Sequence, residues 1–313
     1  MKNFLFLMAA KHKSVQAIAA FLLVCGLGLS PQACGTKTAK KAGNEKFSFS
    51  VKENIGYKSG DNLDEYEKSR CKLDLYIPEG KKDFPVMVWF YGGSLKHGSK
   101  DDGFTRAVAK RFAGEGFGVA VVDYRLSPHA KYSAYIDDAA AAVAWAKRYI
   151  SGFGGDPKAI FIAGHSAGGY LVYMLAMNPD YLKKYDMSHM EIAGVIAISG
   201  QTFTHYTIRE ERGILNPESR PVVDDGAPCY HARSDTPPIL AVWADGDSLD
   251  RIEENKYLLA FLSTIGNKKH SSLEMKDRTH WTLIAKIPEQ GDPLTRKILS
   301  FIEKNRFIKH SFR

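Results

Sequence analysis

Short apolar runs alternate with longer segments of helical period along most of the chain. "FSFSVKENIGYK" and "CKLDLYIPEG" alternate polar and apolar residues, the pattern of strands with one wet face, and predict an antiparallel pair. "FPVMVWFYG" and "FGVAVVDYR" are nearly continuous apolar runs, as in strands buried on both faces. Between them "DDGFTRAVAKRFAGEG" predicts a helix with an Asp start and a Gly stop. "AYIDDAAAAVAWAKRYISGFGG" predicts a second helix, with Asp137 and Asp138 early and Lys147 and Arg148 late, which suits its dipole. There follow "AIFIAG" (strand), "GGYLVYMLAM" (helix), "IAGVIAISG" and "PPILAVWADGD" (strands), "IEENKYLLAFLSTIG" (helix), "SSLEMKDRTH" (strand) and "LTRKILSFIEKN" (helix). This alternation predicts an α/β fold with a mostly parallel central sheet, an antiparallel start and helices on both faces.

One stretch breaks the rhythm. Residues 201–235 are long and polar for a connection between two strands, and they read as a small cap-like insertion beside a site. Residues 46–313 otherwise read as one domain.

The amino terminus has another character. "MKNFLFLMAAKHK" is basic, "SVQAIAAFLLVCGLGLS" is apolar, and "PQAC" brings Ala33 before Cys34. Residues 1–34 therefore read as a secretory or lipoprotein signal, which implies an exported protein, with attachment to a membrane through the N-terminus as one outcome. Pro31 and Gln32 depart from the residues that a lipoprotein motif prefers, so cleavage, lipidation and an uncleaved anchor stay open. Residues 35–45 read as a flexible polar tether. In an oxidising compartment Cys71 and Cys229 are permitted to pair, against the alternative of two buried free thiols.

Composition is that of an ordinary globular protein, 44% hydrophobic and 25% charged, so a large core is feasible. The formal charge of +8 is partly at the two ends and forms no basic stripe interleaved with aromatics, which argues against nucleic-acid binding. Neither C-x-x-C nor H-E-x-x-H occurs, so no metal is expected from motif spacing.

The candidate chemistry centres on "IFIAGHSAGGYL". Gly164 and Gly168 flank Ser166 as G-x-S-x-G between a strand and a helix, the setting of a sharp turn with the hydroxyl at its apex. A serine hydroxyl is a poor nucleophile without a base, an acid to orient that base and donors for an oxyanion. Such groups gather beyond the carboxyl ends of parallel strands. There "DGDSLD" offers Asp245, Asp247 and Asp250, "RTHW" offers His280, and "YGGS" offers backbone N–H groups from Tyr91 to Ser94. His165 adjoins the serine and is not the base in such an arrangement. His129, His205, His231 and His270 read as loop or surface residues. Arg125 in "DYRLSP" reads as structural, with Asp137 or Asp138 as its partner.

The pieces "FYGGS", "VVDYRLSP", "DDAAAAVAWAK", "GGDPKAIFIAGHSAGG", "YHARSDTPPILAVWADGDSL" and "RTHWTLI" resemble the α/β-hydrolase superfamily. Within it, the resemblance is to the hormonesensitive-lipase-like and feruloyl-esterase-like (BD-FAE-type) serine carboxylesterases. The resemblance implies Ser166 as nucleophile, Asp247 as acid and His280 as base, with oxyanion donors from the N–H groups of Gly93, Ser94 and Ala167. It implies no cofactor and small-molecule esters as substrates, of short acyl chains or of acetylated or feruloylated sugars. Two positions depart from that pattern: Tyr91 stands where the family has His, and Ser94 where it has its last Gly. Kynurenine-formamidase-like enzymes share much of the motif set, so amide hydrolysis on the same three residues is the alternative. A non-catalytic binding protein on the same fold is a further one. The short, charged insertion argues against a lipase lid.

Overall fold

The structure, a computed structural model, describes residues 37–39 and 46–306. The leader over 1–34 and most of the 35–45 stretch lie outside the described residues.

Six parallel strands make the body of the sheet: β4 (Phe84–Phe90), β5 (Gly118–Val122), β6 (Gly155–His165), β7 (Gly194–Ile198), β8 (Ile239–Gly246) and β9 (His270–Thr279). Ahead of them β1 (Lys37–Ala39), β2 (Phe49–Gly56) and β3 (Lys72–Pro78) run antiparallel to their neighbours, and the order across the sheet is β1-β2-β3-β5-β4-β6-β7-β8-β9. Residues Lys37–Ala39 pair with Val51, Ser50 and Phe49. Part of the stretch read as a tether is thus in the sheet, because the open edge of β2 offers unpaired backbone groups to any extended segment nearby.

The two faces follow from the strand period of two. On one face Val86, Val88, Phe90, Ile160 and Ile162 meet α3 (Ala134–Tyr149), α4 (Ala167–Met177) and α7 (Leu249–Thr264). On the other, Met87, Trp89, Val119, Val121 and Phe161 meet α2 (Gly103–Gly114) and α9 (Pro293–Asn305). The near-continuous apolar strands of the sequence are those with helices on both sides. The Ala run of α3 lets that helix lie close on the sheet: Ala139, Ala140 and Ala142 are fully buried.

The sheet order reverses at β4. The connection through α2 leaves to one side of it, and the connection through α3 crosses back to β6 on the other. Ligand sites in open α/β sheets lie at such a switch point, beyond the carboxyl ends of the strands.

Four short helices were not legible in the apolar pattern: α1 (Glu65–Arg70), α5 (Asp180–Lys183), α6 (Tyr206–Glu211) and α8 (His280–Ala285). Each spans fewer than two turns and carries too few apolar residues to show a period. The last two both stand at the site. Asp138 is fully buried, and its carboxylate takes Arg125 in a two-pronged pair, with Nε to Oδ2 at 2.9 Å and NH2 to Oδ1 at 2.8 Å. It therefore serves as the partner of Arg125 more than as a dipole charge, while Asp137 binds Lys58 and Tyr185.

Candidate active site

The turn between β6 and α4 is as tight as its glycines suggest. A methyl group on Gly168 would lie 2.0 Å from the carbonyl oxygen of Phe90, and one on Gly164 would lie 2.4 Å from the backbone of Gly168. Both positions are glycine because strand β4 and the start of α4 touch there. Ser166, between them, adopts φ 55° and ψ −116°, a conformation costly for a residue with a Cβ and kept at sites that need it. Its N–H is tied to the carbonyl of Ile198 at 2.8 Å, which fixes the turn against β7.

The candidate base and acid stand at two further strand ends. His280 follows β9 as the first residue of α8, held by a reciprocal cap between Thr279 and Thr282. Its Nδ1 donates to Asp247 Oδ1 at 2.7 Å. Of the three acids after β8, Asp247 is the one beside His280. Asp245 instead accepts the N–H groups of Asp277 and Arg278, and Asp250 lies exposed on the first turn of α7.

The carboxylate of Asp247 is buried, which opposes its charge. Hydrogen bonds from His280, the Ser199 hydroxyl and the Ala244 N–H outweigh that burial and hold its carboxyl below the usual range. With Nδ1 engaged, Nε2 is left as the nitrogen able to take a proton. Among the described residues no hydrogen bond joins Ser166 Oγ to His280, a looseness common in unliganded sites.

The loop after β4 lies over the serine. A methyl group on Gly92 would stand 3.0 Å from Cβ of Ser166. Gly93 has φ 122° and packs so tightly on the carbonyl of His97 that only glycine fits. Among the described residues the N–H groups of Gly93, Ser94 and Ala167 carry no backbone hydrogen bond, and Ala167 opens α4, where helix N–H groups are unpaired by construction.

Several residues here were missed in the sequence. Ser199 follows β7 and holds Asp247; its place just beyond a strand end is the only signal the sequence carries, and it does not name the partner. His165 is fully buried; its Nε2 donates to the carbonyl of His280 at 2.9 Å and its ring centroid is 4.5 Å from that of His280. Burial, and then the neighbouring His280, push its basicity down to about 3, so it is a neutral strut for the base loop. Arg278 and Asp292 form a buried pair at 2.6 Å that ties the same loop to α9. His205 is likewise buried rather than a plain loop residue. It caps α6 through Nδ1, which accepts the Thr207 N–H at 3.2 Å.

Tyr91, in place of the family's histidine, is buried and stacked on Tyr124 at 4.7 Å, and its hydroxyl accepts from Arg70 at 2.6 Å. The substitution thus has a structural role under the loop. Cys71 and Cys229 are free and buried, with burial pushing each thiol up to about 12. Among the described residues, Glu67, Cys71 and Asp138 bring potential metal-ligating atoms within 4.8 Å of one another. Lys58 and Arg125 lie on those carboxylates at 2.6–3.1 Å, so the cluster already has its cations.

With this geometry in place, the BD-FAE family model matches residues 73–262, more than half of the chain. The chain belongs to the BD-FAE family. Its fold is the α/β-hydrolase fold, shared with a truncated carbohydrate esterase from gut microbiota at a TM-score of 0.67 and 17% identity, over 85% of this chain and 99% of that one. Esterase B from Lactobacillus rhamnosis is similar at a TM-score of 0.66 and 15% identity, over 82% and 85%. Among curated relatives, the Mycobacterium tuberculosis esterase LipC is 27% identical over 64% of this chain and 53% of its own length. The carboxylesterase NlhH of the same species is 40% identical over 33% of this chain and 32% of its own. The chain spans about half, or less, of the length of the first curated relatives it matches.

Proposed function

We propose that this protein is a serine hydrolase of carboxylic esters with small acyl groups, acting through an acyl-enzyme. The observation that carries the reading is the meeting, at the ends of β6, β8 and β9, of a strained Ser166 turn and a half-buried His280 bonded at 2.7 Å to the buried carboxylate of Asp247. The names of its relatives, esterases and carboxylesterases, point the same way.

Ser166 Oγ attacks the ester carbonyl as His280 Nε2 takes its proton. Asp247 keeps the imidazole in the tautomer with Nδ1–H and favours the cation that forms. The oxyanion accepts the N–H groups of Gly93, Ser94 and Ala167, which are fixed before the reaction and so need no reorganisation. His280 then protonates the leaving alkoxide. Water, deprotonated by the same histidine, releases the acid and regenerates Ser166.

The resemblance to feruloyl-esterase-like enzymes supports a hydroxyl-rich alcohol such as a sugar over a long alkyl chain. The basic and then apolar character of residues 1–34 supports export to the cell envelope or beyond. Among the described residues no helix is long and apolar enough to cross a membrane.

The test is hydrolysis of p-nitrophenyl acetate, butyrate, octanoate and palmitate by the wild type and Ser166→Ala. The reading requires rapid turnover of the short esters, little of palmitate, and loss of activity in the variant. A folded wild type no faster than Ser166→Ala on every ester would overturn it.

A further inference from the structure

The insertion over 201–235 lies across both sources of the N–H groups assigned to the oxyanion. Helix α6 bonds twice to one residue of the loop after β4: the Tyr206 hydroxyl donates to Ser94 Oγ, and the Thr207 hydroxyl donates to the carbonyl of Ser94. Lys96, two residues on, pairs with Glu210 of the same helix. The other side of α6 rests on α4. His205, its cap, stacks on Tyr206 at 4.4 Å and stands 5.3 Å from the ring of Tyr170, whose hydroxyl donates to the carbonyl of Gly226 at 2.9 Å. Ser94 and Ala167 belong to separate segments, and α6 touches the first while its cap packs on the helix that begins with the second.

Ser94 needs such support. It has φ 62° and Leu95 has φ 59°, so two consecutive residues with side chains occupy the left-handed region that favours glycine. A glycine would take the same conformation at less cost, without a hydroxyl for Tyr206 to hold. The strain and the bonds from α6 fall on one residue.

We propose that α6 sets the oxyanion-binding geometry through Ser94, which makes Tyr206 and Thr207 positioning residues for the reaction. This rests on the serine-hydrolase reading and deepens it. The insertion is then a brace for the transition state, where the sequence suggested only a cover. Loosening the brace shifts the Ser94 N–H relative to the Ala167 N–H. Such a shift weakens binding of the tetrahedral state, in which the oxygen is charged, more than binding of the neutral ester.

The experiment uses the full chain, with Tyr206→Phe, Thr207→Val, Ser94→Gly and the double variant Tyr206→Phe/Ser94→Gly. Four quantities are read: kcat and KM on p-nitrophenyl butyrate, inhibition by a trifluoromethyl ketone that mimics the tetrahedral state, and the thermal midpoint. Misplacement of one donor is expected to lower kcat by roughly 10-fold or more, with KM within about 2-fold, and to weaken the ketone by a similar factor. Ser94→Gly relieves the left-handed strain, so its midpoint is expected to hold or rise while kcat still falls. The double variant is expected to be no slower than the slower single, because the two side chains act as one unit. Wild-type kcat and ketone affinity in all the single variants, or losses that simply multiply in the double, would overturn the proposal. Ser166→Ala, run alongside, separates the two claims: an active Ser166→Ala sinks the hydrolase reading, and a dead one beside unaffected α6 variants sinks only the brace.

Discussion

His165 makes the folded protein sensitive to mild acid. It is fully buried and held neutral, with a basicity pushed down to about 3 from an ordinary value of 6.5. In the unfolded chain it takes up a proton as the pH falls below about 6.5. Between those two values the unfolded state binds one more proton than the folded state, so stability rises with pH across this window and is lost as the pH falls. The slope is about 1.4 kcal/mol per pH unit for one such group, which gives about 2 kcal/mol lost on going from pH 7 to about pH 5. No discount for solvent screening applies, because the ring is buried. His205 and His189 are also held below their ordinary value by burial and add to the slope in the same direction. Asp247 and Asp137 have depressed values, so their contribution is present above about pH 4 and fades only below it, outside the window. The assay is urea unfolding at about pH 7 and pH 5 for the wild type and His165→Asn. The variant starts less stable, because it loses the ring contact and the bond to His280. The expected result is that it then loses about 2 kcal/mol less than the wild type between the two pH values. Equal losses in the two proteins would refute the claim that His165 is held neutral.

Other expectations concern the same site. Ser199→Ala removes one donor from the buried Asp247; a hydrogen bond to a charged group is worth about 1.5–3 kcal/mol, so kcat on p-nitrophenyl butyrate is expected to fall about 10-fold or more at little change in KM. Gly168→Ala drives a methyl group into the Phe90 carbonyl, where the opposing atom is backbone, and an overpacking cost of about 3 kcal/mol or more should appear as a large fall in the thermal midpoint or as insoluble protein. A thiol reagent, followed by peptide mapping, should modify Cys71 and Cys229 of the native protein slowly, because both are unpaired and buried.

Much of this was legible before any coordinates, for physical reasons that can be named. Strands β4 to β8 announced themselves because a strand covered on both faces has no polar positions to spare. Gly164 and Gly168 were legible because the turn admits no Cβ, which restricts the residue type. The rule that functional groups gather at strand ends led to His280 and to three acids, Asp245, Asp247 and Asp250, and only the family resemblance pointed to Asp247 among them. What stayed hidden depended on contacts distant in sequence. Ser199 lies 48 positions from the acid it holds, and His165 lies 115 positions from the carbonyl it binds. Nothing local in "ISGQ" or "AGHSA" marks those partners. Helix α6 was hidden for a different reason: "HYTIREE" is short and polar, and its order comes from the His205 cap and from Ser94, neither of which is a matter of period. Asp138 was read partly as a dipole charge because its position in the first turns of α3 fits that role, and only burial shows that its carboxylate belongs to Arg125 and Lys58.

The central claim is that Ser166 is the nucleophile, activated by His280. The most direct measurement is stoichiometric labelling with a fluorophosphonate, read by intact mass and by mapping the modified peptide, in the wild type, Ser166→Ala and His280→Ala. The expected result is one adduct per chain on Ser166, none in Ser166→Ala, and labelling slowed by orders of magnitude in His280→Ala. A wild type that is folded yet unlabelled, or a label that persists in Ser166→Ala at another residue, would contradict it.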